Sequence, residues 1–365
     1  MKILFLINKA GDGGSERFVE NLAAEYSARG HRCFLGFCEY GPLVNRMEAL
    51  GAKCVGLNLG RGDLFSAPKD IAELCRNEGI DVIHAQFPRE NVYALKSLRH
   101  YGRPKVVFTD HLSAVQGLKW RVLNRLYAGR LTAAAAVWDE GLKVLKANGF
   151  PADKICVIHN GTEVPAEPPK ADAELRKELG VSSGEFLCCV LSRYSPEKGL
   201  DFLLDSLKLL KKKTDRFFCC VICGDGELFG HIKDRVDSEG LRDTVIQAGY
   251  REDAQRVLAA SQLYLSPSQS EAMSLGLLEA FAAGLPCVVT DAGSSAILAA
   301  RQPESGISVS RTDADAFAEA VLQYMEDEKL RSAHAAAAFA KAADFSRSAM
   351  ADKYLRLYEN GPQGN

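Results

Sequence analysis

Short apolar runs recur along the chain, separated by stretches whose apolar positions fall at helical spacing. The runs predict strands over Lys2–Ile7, Arg32–Phe37, Lys53–Leu57, Asp81–Ala85, Lys105–Thr109, Ala133–Trp138 and Ile155–Ile158. Most of the intervals read as helix; in Glu16–Arg29, for instance, Phe18, Leu22, Ala23 and Tyr26 mark one face. Strands that are apolar throughout and alternate with helices belong to a parallel sheet covered on both faces. The alternation breaks at Val164–Pro169, where three of six residues are proline, which can continue neither a helix nor a central strand. This segment reads as an interdomain linker. A second series follows, with strands at Phe186–Leu191, Phe217–Cys223, Thr244–Gln247, Leu263–Ser266 and Pro286–Thr290. Its helices are expected at Gly199–Lys213, Leu228–Glu239, Asp253–Ser261 and Leu275–Ala283, and three more near Asp313–Glu326, Glu328–Ala343 and Ala349–Glu359. The pattern predicts two Rossmann-like, doubly wound α/β domains, residues 1–165 and 166–345, facing each other across a cleft. Residues 346–365 are expected to form a terminal helix packing back on the first domain. Ligands of such sheets bind beyond the carboxyl ends of the strands, and the cleft is the expected active site.

Composition narrows the class. Apolar residues make up 47% and charged residues 25% of 365, which suits a globular protein of two domains and excludes disorder and collagen-like structure. No apolar stretch approaches the roughly 20 residues of a membrane span. Lys2 and the five apolar residues after it are too short for a signal-peptide core, so a cytoplasmic location is expected. The net charge of −2 is unevenly distributed: residues 1–165 carry 22 Lys+Arg against 17 Asp+Glu, the remainder 23 against 30. Either the first half faces something anionic, or its helix faces are simply basic. Most of the eleven cysteines lie in apolar strands, and Cys220 and Cys223, although spaced as CxxC, would point to opposite faces of one strand. They read as small core residues.

Three loops could carry chemistry. Gly11-Asp12-Gly13-Gly14-Ser15-Glu16 follows the first strand and opens a helix, where backbone N–H groups can meet a phosphate. Glu16 stands where a dinucleotide fingerprint needs glycine, which disfavours NAD, and the loop could also be only a tight turn. Ser192–Gly199 (SRYSPEKG) brackets a turn with Arg193 and Lys198, so that both cations could converge on one anion; Ser195 is the expected N-cap, with Pro196 at the first helical position. In Ser266–Ala280, Glu271 lies in the loop and Glu279 in the second turn of a helix starting near Ser274. Carboxylates for hydroxyls, flanking helix N–H groups for phosphates, suit a nucleotide sugar.

Taken in order, the motifs GGSER at Gly13–Arg17, DVIH at Asp81–His84, TDH at Thr109–His111, VIHNG at Val157–Gly161, SRYSPEKG, GDGE at Gly224–Glu227 and the Glu271/Glu279 pair resemble a retaining glycosyltransferase of family 4 (group 1) with the GT-B fold. The resemblance spans nearly the whole chain. It implies an enzyme moving a hexose-type sugar, with retention, from a nucleotide-diphosphate donor to an acceptor hydroxyl in cell-surface glycan or glycolipid synthesis. By similarity the first domain binds the acceptor and the second the donor, a UDP-sugar, with neither cofactor nor metal expected. His111, Glu271, Arg193 and Lys198 are the implied catalytic residues. Donor binding would involve Gly13, Gly14, Arg193, Lys198, Gly224, Glu271, Met273, Ser274, Leu275 and Glu279. Glu279 would take the ribose hydroxyls and Glu271 the donor sugar, while His111 would approach that sugar from the first domain.

The chain departs from the family at Ala272 and Ser274, where glycine is usual, and at Ser294 and Ile297, where Gly and Glu are common; Ser274 could donate directly to phosphate. Gln86 replaces a second histidine and is given no catalytic role. His84 and His159 are expected to be structural, and Asp313-Ala314-Asp315 to cap a helix rather than hold a metal. Acceptor choice is expected in loops near Phe87–Asn91 and Asp63–Pro68. Within Gln116–Arg130, Leu118, Val122, Leu126 and Gly129 mark one face, while Lys119, Arg121, Arg125 and Arg130 occupy others. That face either covers the sheet or makes peripheral contact with an anionic membrane, which would place the protein at the inner face of the plasma membrane and suit a lipid-linked acceptor. No nucleic-acid partner is expected. A GT-B nucleotide-sugar epimerase and a non-catalytic nucleotide-binding subunit of a glycosylation complex are the alternatives.

Overall fold

The computed structural model describes residues 1–60 and 65–362. They form two compact units, Met1–Gly161 with Arg347–Asn365, and Thr162–Ser346. Unit 1 alternates strands β1 (Lys2–Lys9), β2 (Arg32–Glu39), β3 (Lys53–Gly56), β4 (Val82–Ala85), β5 (Lys105–Asp110), β6 (Ala133–Ala136) and β7 (Ile155–Val157) with helices α1 (Gly14–Ala28), α2 (Pro42–Ala49), α3 (Ser66–Glu78), α4 (Pro88–Ser97), α5 (Leu118–Tyr127) and α6 (Gly141–Ala147). The strands lie parallel in the order 3-2-1-4-5-6-7. Unit 2 has β8 (Phe186–Leu191), β9 (Phe218–Cys223), β10 (Val245–Gly249), β11 (Leu263–Ser266), β12 (Cys287–Thr290) and β13 (Gly306–Val309), ordered 10-9-8-11-12-13 and also parallel. Its helices are α7 (Ala173–Glu178), α8 (Leu200–Lys213), α9 (Phe229–Ser238), α10 (Ala254–Ala260), α11 (Leu275–Ala282), α12 (Ser294–Ala300), α13 (Ala314–Glu326) and α14 (Glu328–Ala342). The chain then returns to unit 1 through α15 (Arg347–Asn360). Val164–Pro169 carries no helix or strand and belongs to unit 2.

The alternation of side chains along β1 shows why this strand needs no polar face. Ile3, Phe5 and Ile7 enter the core beneath α1, α2 and α15, while Leu4 and Leu6 enter the opposite core beneath α3 and α4. All five are fully buried, each worth about 1.5–3 kcal/mol in apolar surface removed from water. The sequence pattern did not single out α12 and β13; Gly-Ile-Ser-Val is too short, and too interrupted by serine, to show periodicity. The cysteines of β8 and β9 are buried and unbridged, and burial pushes the Cys219 and Cys223 thiols up to about 12. Asp313 accepts the Ala316 N–H at 2.9 Å and caps α13, and Asp315 pairs with Lys213. Among the described residues no helix is long and apolar enough to cross a membrane.

The terminal helix is held to unit 1 by a buried polar chain. The Tyr358 hydroxyl lies 2.7 Å from His84 Nδ1, His84 Nε2 lies 2.7 Å from Thr109 Oγ1, and that oxygen lies 2.9 Å from the Tyr354 hydroxyl. His84 is thus structural. Burial drives its pKa well below the usual histidine value, with the neighbouring His111 adding to the effect, and a neutral imidazole can give one of its two hydrogen bonds and take the other. His159, the other histidine set aside in the sequence, meets Asp139 at 3.2 Å near the surface.

Two outcomes are expected. Tyr358→Phe strands a buried His84 nitrogen and should lower the free energy of unfolding by about 1–3 kcal/mol; a urea transition unchanged from wild type would contradict the network. His84 binds no proton in the folded state near neutrality, whereas the unfolded chain binds one below about pH 6.5. This contribution to stability is therefore complete above that pH and declines as pH falls below it. Urea midpoints measured from about pH 8 to about pH 5 should drop on the acid side, and less so in His84→Gln.

Candidate functional site

In unit 2, β8 and β11 are neighbours whose chains continue to opposite sides of the sheet, β9 lying beyond β8 and β12 beyond β11. This is the topological switch point, where the two following loops must diverge and leave a crevice. Those loops, Ser192–Gly199 and Pro267–Ser274, are tied to each other. Lys198 Nζ lies 2.6 Å from Glu271 Oε2, with the two side chains 21% and 11% exposed, and the Ser268 hydroxyl donates to the same oxygen at 3.3 Å. The Gln269 N–H donates to the Glu197 carbonyl at 2.8 Å.

Arg193 pairs with Glu197 at 2.7 Å, and the Ser195 hydroxyl donates to the same carboxylate oxygen, also at 2.7 Å. Against the upward push of burial, the Ser195 hydrogen bond and the Arg193 guanidinium hold the Glu197 carboxyl down to about 2. Two expectations change as a result. Ser195 is the N-cap with Pro196 at the first position, as expected, but of a single 3-10 turn (Pro196–Lys198) and without a capping bond from its side chain, and α8 begins only after Gly199. Arg193 and Lys198 do not stand as two bare cations, since each has its own carboxylate and the four charges cancel. The pairs differ in strength. Arg193–Glu197 is largely exposed, a class worth about 0–1 kcal/mol, so an arriving anion can take the guanidinium over at little cost. The Lys198–Glu271 pair is half-buried and sets the geometry.

The N-terminus of α11 opens beside this pair. Ser274 accepts the Leu277 N–H at 3.2 Å, so its oxygen serves as the helix cap. Met273 is buried, Leu275 is the first helical residue, and Glu279 lies partly buried on the second turn. Leu277 and Leu278 are core. Ala272, in a place where glycine is usual in the resembling family, does not need glycine here; among the described non-glycine residues only Ser113 has a positive φ. Two glycines do require their lack of a side chain. Gly224 has φ 141° and Gly293 has φ 57°; a Cβ on the first would collide with the Ser192 carbonyl, and on the second with the Glu271 carbonyl. Loops from β9 and β12 thereby buttress the two loops that carry the charges.

Sequence reading missed Tyr264. In the apolar run Leu-Tyr-Leu it looks like a core ring, and it is 2% exposed. Its hydroxyl, however, reaches the Leu191 carbonyl at 3.4 Å, bonds with the Ser274 side chain and lies within the field of both Glu271 and Glu279. Burial first, then Cys189 and the two carboxylates, keep the phenol protonated.

In unit 1, Gly13 is the N-cap and Gly14 the first residue of α1, which starts two residues earlier than its apolar periodicity suggests. The Ser15 hydroxyl donates to Glu16 at 2.7 Å, so the acid of the first turn lies against the glycine loop. His111 directly follows β5. Its Nε2 donates to Gln86 Oε1 at 2.9 Å while Gln86 Nε2 donates to the His84 carbonyl at 3.0 Å. Gln86, set aside on sequence, therefore fixes the His111 tautomer and ring plane, and leaves the lone pair on Nδ1. Phe18 stacks edge-on at 4.8 Å. The ring keeps some surface, yet burial of its body holds its pKa down to about 3. Ser113 (φ 47°) is held beside it by the Trp138 indole N–H at 3.1 Å. The expected loop near Phe87–Asn91 is instead the start of α4, with Pro88 at its first position. There Glu90 and Asn91 are buried, with the Glu90 carboxylate 3.8 Å from the Arg89 guanidinium. Of the second expected loop, Asp63 and Leu64 lie outside the described residues, and Ser66–Pro68 open α3. Among the described residues no three His, Cys, Asp or Glu side chains converge as a metal would need.

Comparison with known proteins places these loops in a family. The model for glycosyltransferase family 4 matches residues 12–164, and that for glycosyl transferases group 1 matches residues 171–341. The lipopolysaccharide core biosynthesis glycosyltransferase LpsE of Rhizobium meliloti is 31% identical, covering 96% of this chain and 97% of its own. The UDP-Gal:alpha-D-GlcNAc-diphosphoundecaprenol alpha-1,3-galactosyltransferase of Escherichia coli is 26% identical over 71% of this chain and 70% of its own. Among solved structures, Anabaena HepE in complex with UDP superposes with a TM-score of 0.84 at 21% identity, over 98% of this chain and all of the other, a likeness of fold. With both units matched and a relative aligned end to end, the chain belongs to the group 1, family 4 glycosyltransferases and has the GT-B fold.

Proposed function

We propose that this glycosyltransferase moves a hexose-type sugar, with retention, from a UDP-sugar to a hydroxyl of a glycan or lipid-linked acceptor, at the cytoplasmic face of a membrane. The observation that carries the reading is the Lys198–Glu271 contact beside the N-terminus of α11, at the switch point of unit 2. The donor diphosphate lies between Lys198, Arg193 and the unpaired N–H groups of that helix, and displaces Glu197 from Arg193. Departure of UDP builds negative charge on the phosphate oxygens, and these groups are already in place to receive it. Glu279 takes the ribose hydroxyls, and Glu271, released in part from Lys198, accepts from the donor sugar. Gly224 lets its loop pass close to the same crevice. The acceptor belongs to unit 1, with neutral His111 as a hydrogen-bonding partner of the sugar and Gly13–Gly14 closing on the phosphates. A donor phosphate oxygen takes the proton of the attacking hydroxyl.

The names of related proteins favour this substrate class: one acts on a UDP-galactose donor and a diphosphoundecaprenol-linked acceptor, another serves lipopolysaccharide core synthesis, and a protein of similar fold was solved with UDP-glucose.

Screening UDP-, GDP- and TDP-sugars for donor hydrolysis should find the UDP series preferred. Lys198→Ala and Arg193→Ala should each lower kcat/KM about 100-fold or more, with Lys198→Ala the larger loss because it also unpins Glu271; near-wild-type turnover by both would refute the site. Because side chains and backbone amides supply the positive charge, turnover in EDTA should match turnover with Mg²⁺. A strict requirement for the metal would place the diphosphate elsewhere.

A further inference from the structure

Helix α5 is amphipathic in an unusual direction. At 3.6 residues per turn, Leu118, Val122 and Leu126 form one stripe, and in a covered α/β sheet that stripe would face inward. Here it faces out: the three are 72%, 48% and 72% exposed. The inward face is instead Leu123, Tyr127 and the fully buried Asn124, whose amide donates at 3.0 Å both to the Asn148 carbonyl and to Gln116 Oε1. A polar anchor thus holds the helix with its apolar stripe in solvent. The loop that leads into it adds Leu112 and Val115. Of the ten large hydrophobic side chains exposed among the described residues, five lie within residues 112–126, so this is a patch and not scatter.

The charges around the patch say what covers it. Around the helix, Arg121 and Arg125 border the stripe on one side and Lys119 on the other, all three exposed. Between Lys96 and Arg130 the single acid is Asp110, and it is 5% exposed with its Oδ1 turned to the Leu112 and Ser113 N–H groups. A shallow groove of about 540 Å³ runs beside the stripe, lined by Val92, Leu118, Val122 and Tyr127, with Lys96 at its margin. Apolar side chains bordered by long cations on both flanks match a bilayer surface, in which the apolar groups enter the acyl region while the cations reach the phosphate layer.

We propose that the 112–126 segment is an in-plane anchor that docks unit 1 on an anionic lipid bilayer. Leu112 follows His111 directly, so docking sets the candidate acceptor side of unit 1 at the membrane surface, where a lipid-linked acceptor presents its sugar. Only that consequence rests on the glycosyltransferase reading; the docking itself shares no residue with the donor site.

The test is sedimentation of the full chain with phosphatidylcholine vesicles, with and without phosphatidylglycerol. The protein should pellet with the anionic vesicles and much less with the neutral ones, and added salt should release part of it. The triple variant Leu118→Ser, Val122→Ser, Leu126→Ser and the double variant Lys119→Gln, Arg125→Gln should each weaken binding about tenfold or more, while UDP-sugar hydrolysis in solution stays at the wild-type rate and reports an intact fold. Equal binding to neutral and anionic vesicles, or undiminished binding by the triple variant, would overturn the proposal. So would a concentration-dependent dimer that the triple variant abolishes, since the stripe would then belong to a second copy of the chain. Vesicle binding without hydrolysis of any UDP-sugar would count against the proposed function and leave the anchor standing.

Discussion

The contact between Lys198 and Glu271 joins two loops 73 residues apart in the chain, and the candidate donor site takes its shape from it. A parallel sheet leaves all its strand ends on one edge, but it does not by itself fix the loops that follow. Here one half-buried ion pair does so, with Ser268 sharing the carboxylate and the Glu197 carbonyl receiving the next loop's N–H. Being half-buried, the pair is screened less than a surface pair, and losing either partner would leave a charge without its counter-ion. In the proposed function the same pair is what a diphosphate would have to share.

Its support is as specific as the pair itself. Tyr264 rises from β11 beneath α11, with both acidic residues near its hydroxyl. Gly224 and Gly293 allow loops from the flanking strands to press against Ser192 and Glu271. These are backbone-to-backbone approaches, which an added methyl would push apart. In unit 1 the corresponding economy is in hydrogen bonds: Gln86 donates to the His84 backbone carbonyl and accepts from His111, so the candidate functional ring is tied to the strand that carries the structural histidine. Burial keeps both imidazoles neutral, and a neutral His111 can offer or accept a hydrogen bond but carries no positive charge.

Much of this was legible in the chain. Continuous apolar strands alternating with helices specify covered parallel sheets, because nothing else buries both faces of such strands. The glycine loops, SRYSPEKG and the spacing of Glu271 and Glu279 pointed to the family that the comparisons show. The capping role of Asp313 and the core role of the paired cysteines followed from local rules, which depend only on neighbours in sequence.

What the chain could not reveal depends on partners distant in sequence. Arg193 and Lys198 read as free cations until folding gave each a carboxylate. Gln86 read as a loss until its amide was seen against His111, and Tyr264 as a core ring until its hydroxyl was found under the helix end. The stripe on α5 is the clearest case: periodicity established that the helix has an apolar face, but not which way that face turns. The buried Asn124, fixed by Gln116 and Asn148, decided that. Hydrophobic spacing records the period of an element, a local property, whereas orientation and pairing are set by contacts that exist only once the sheet has assembled.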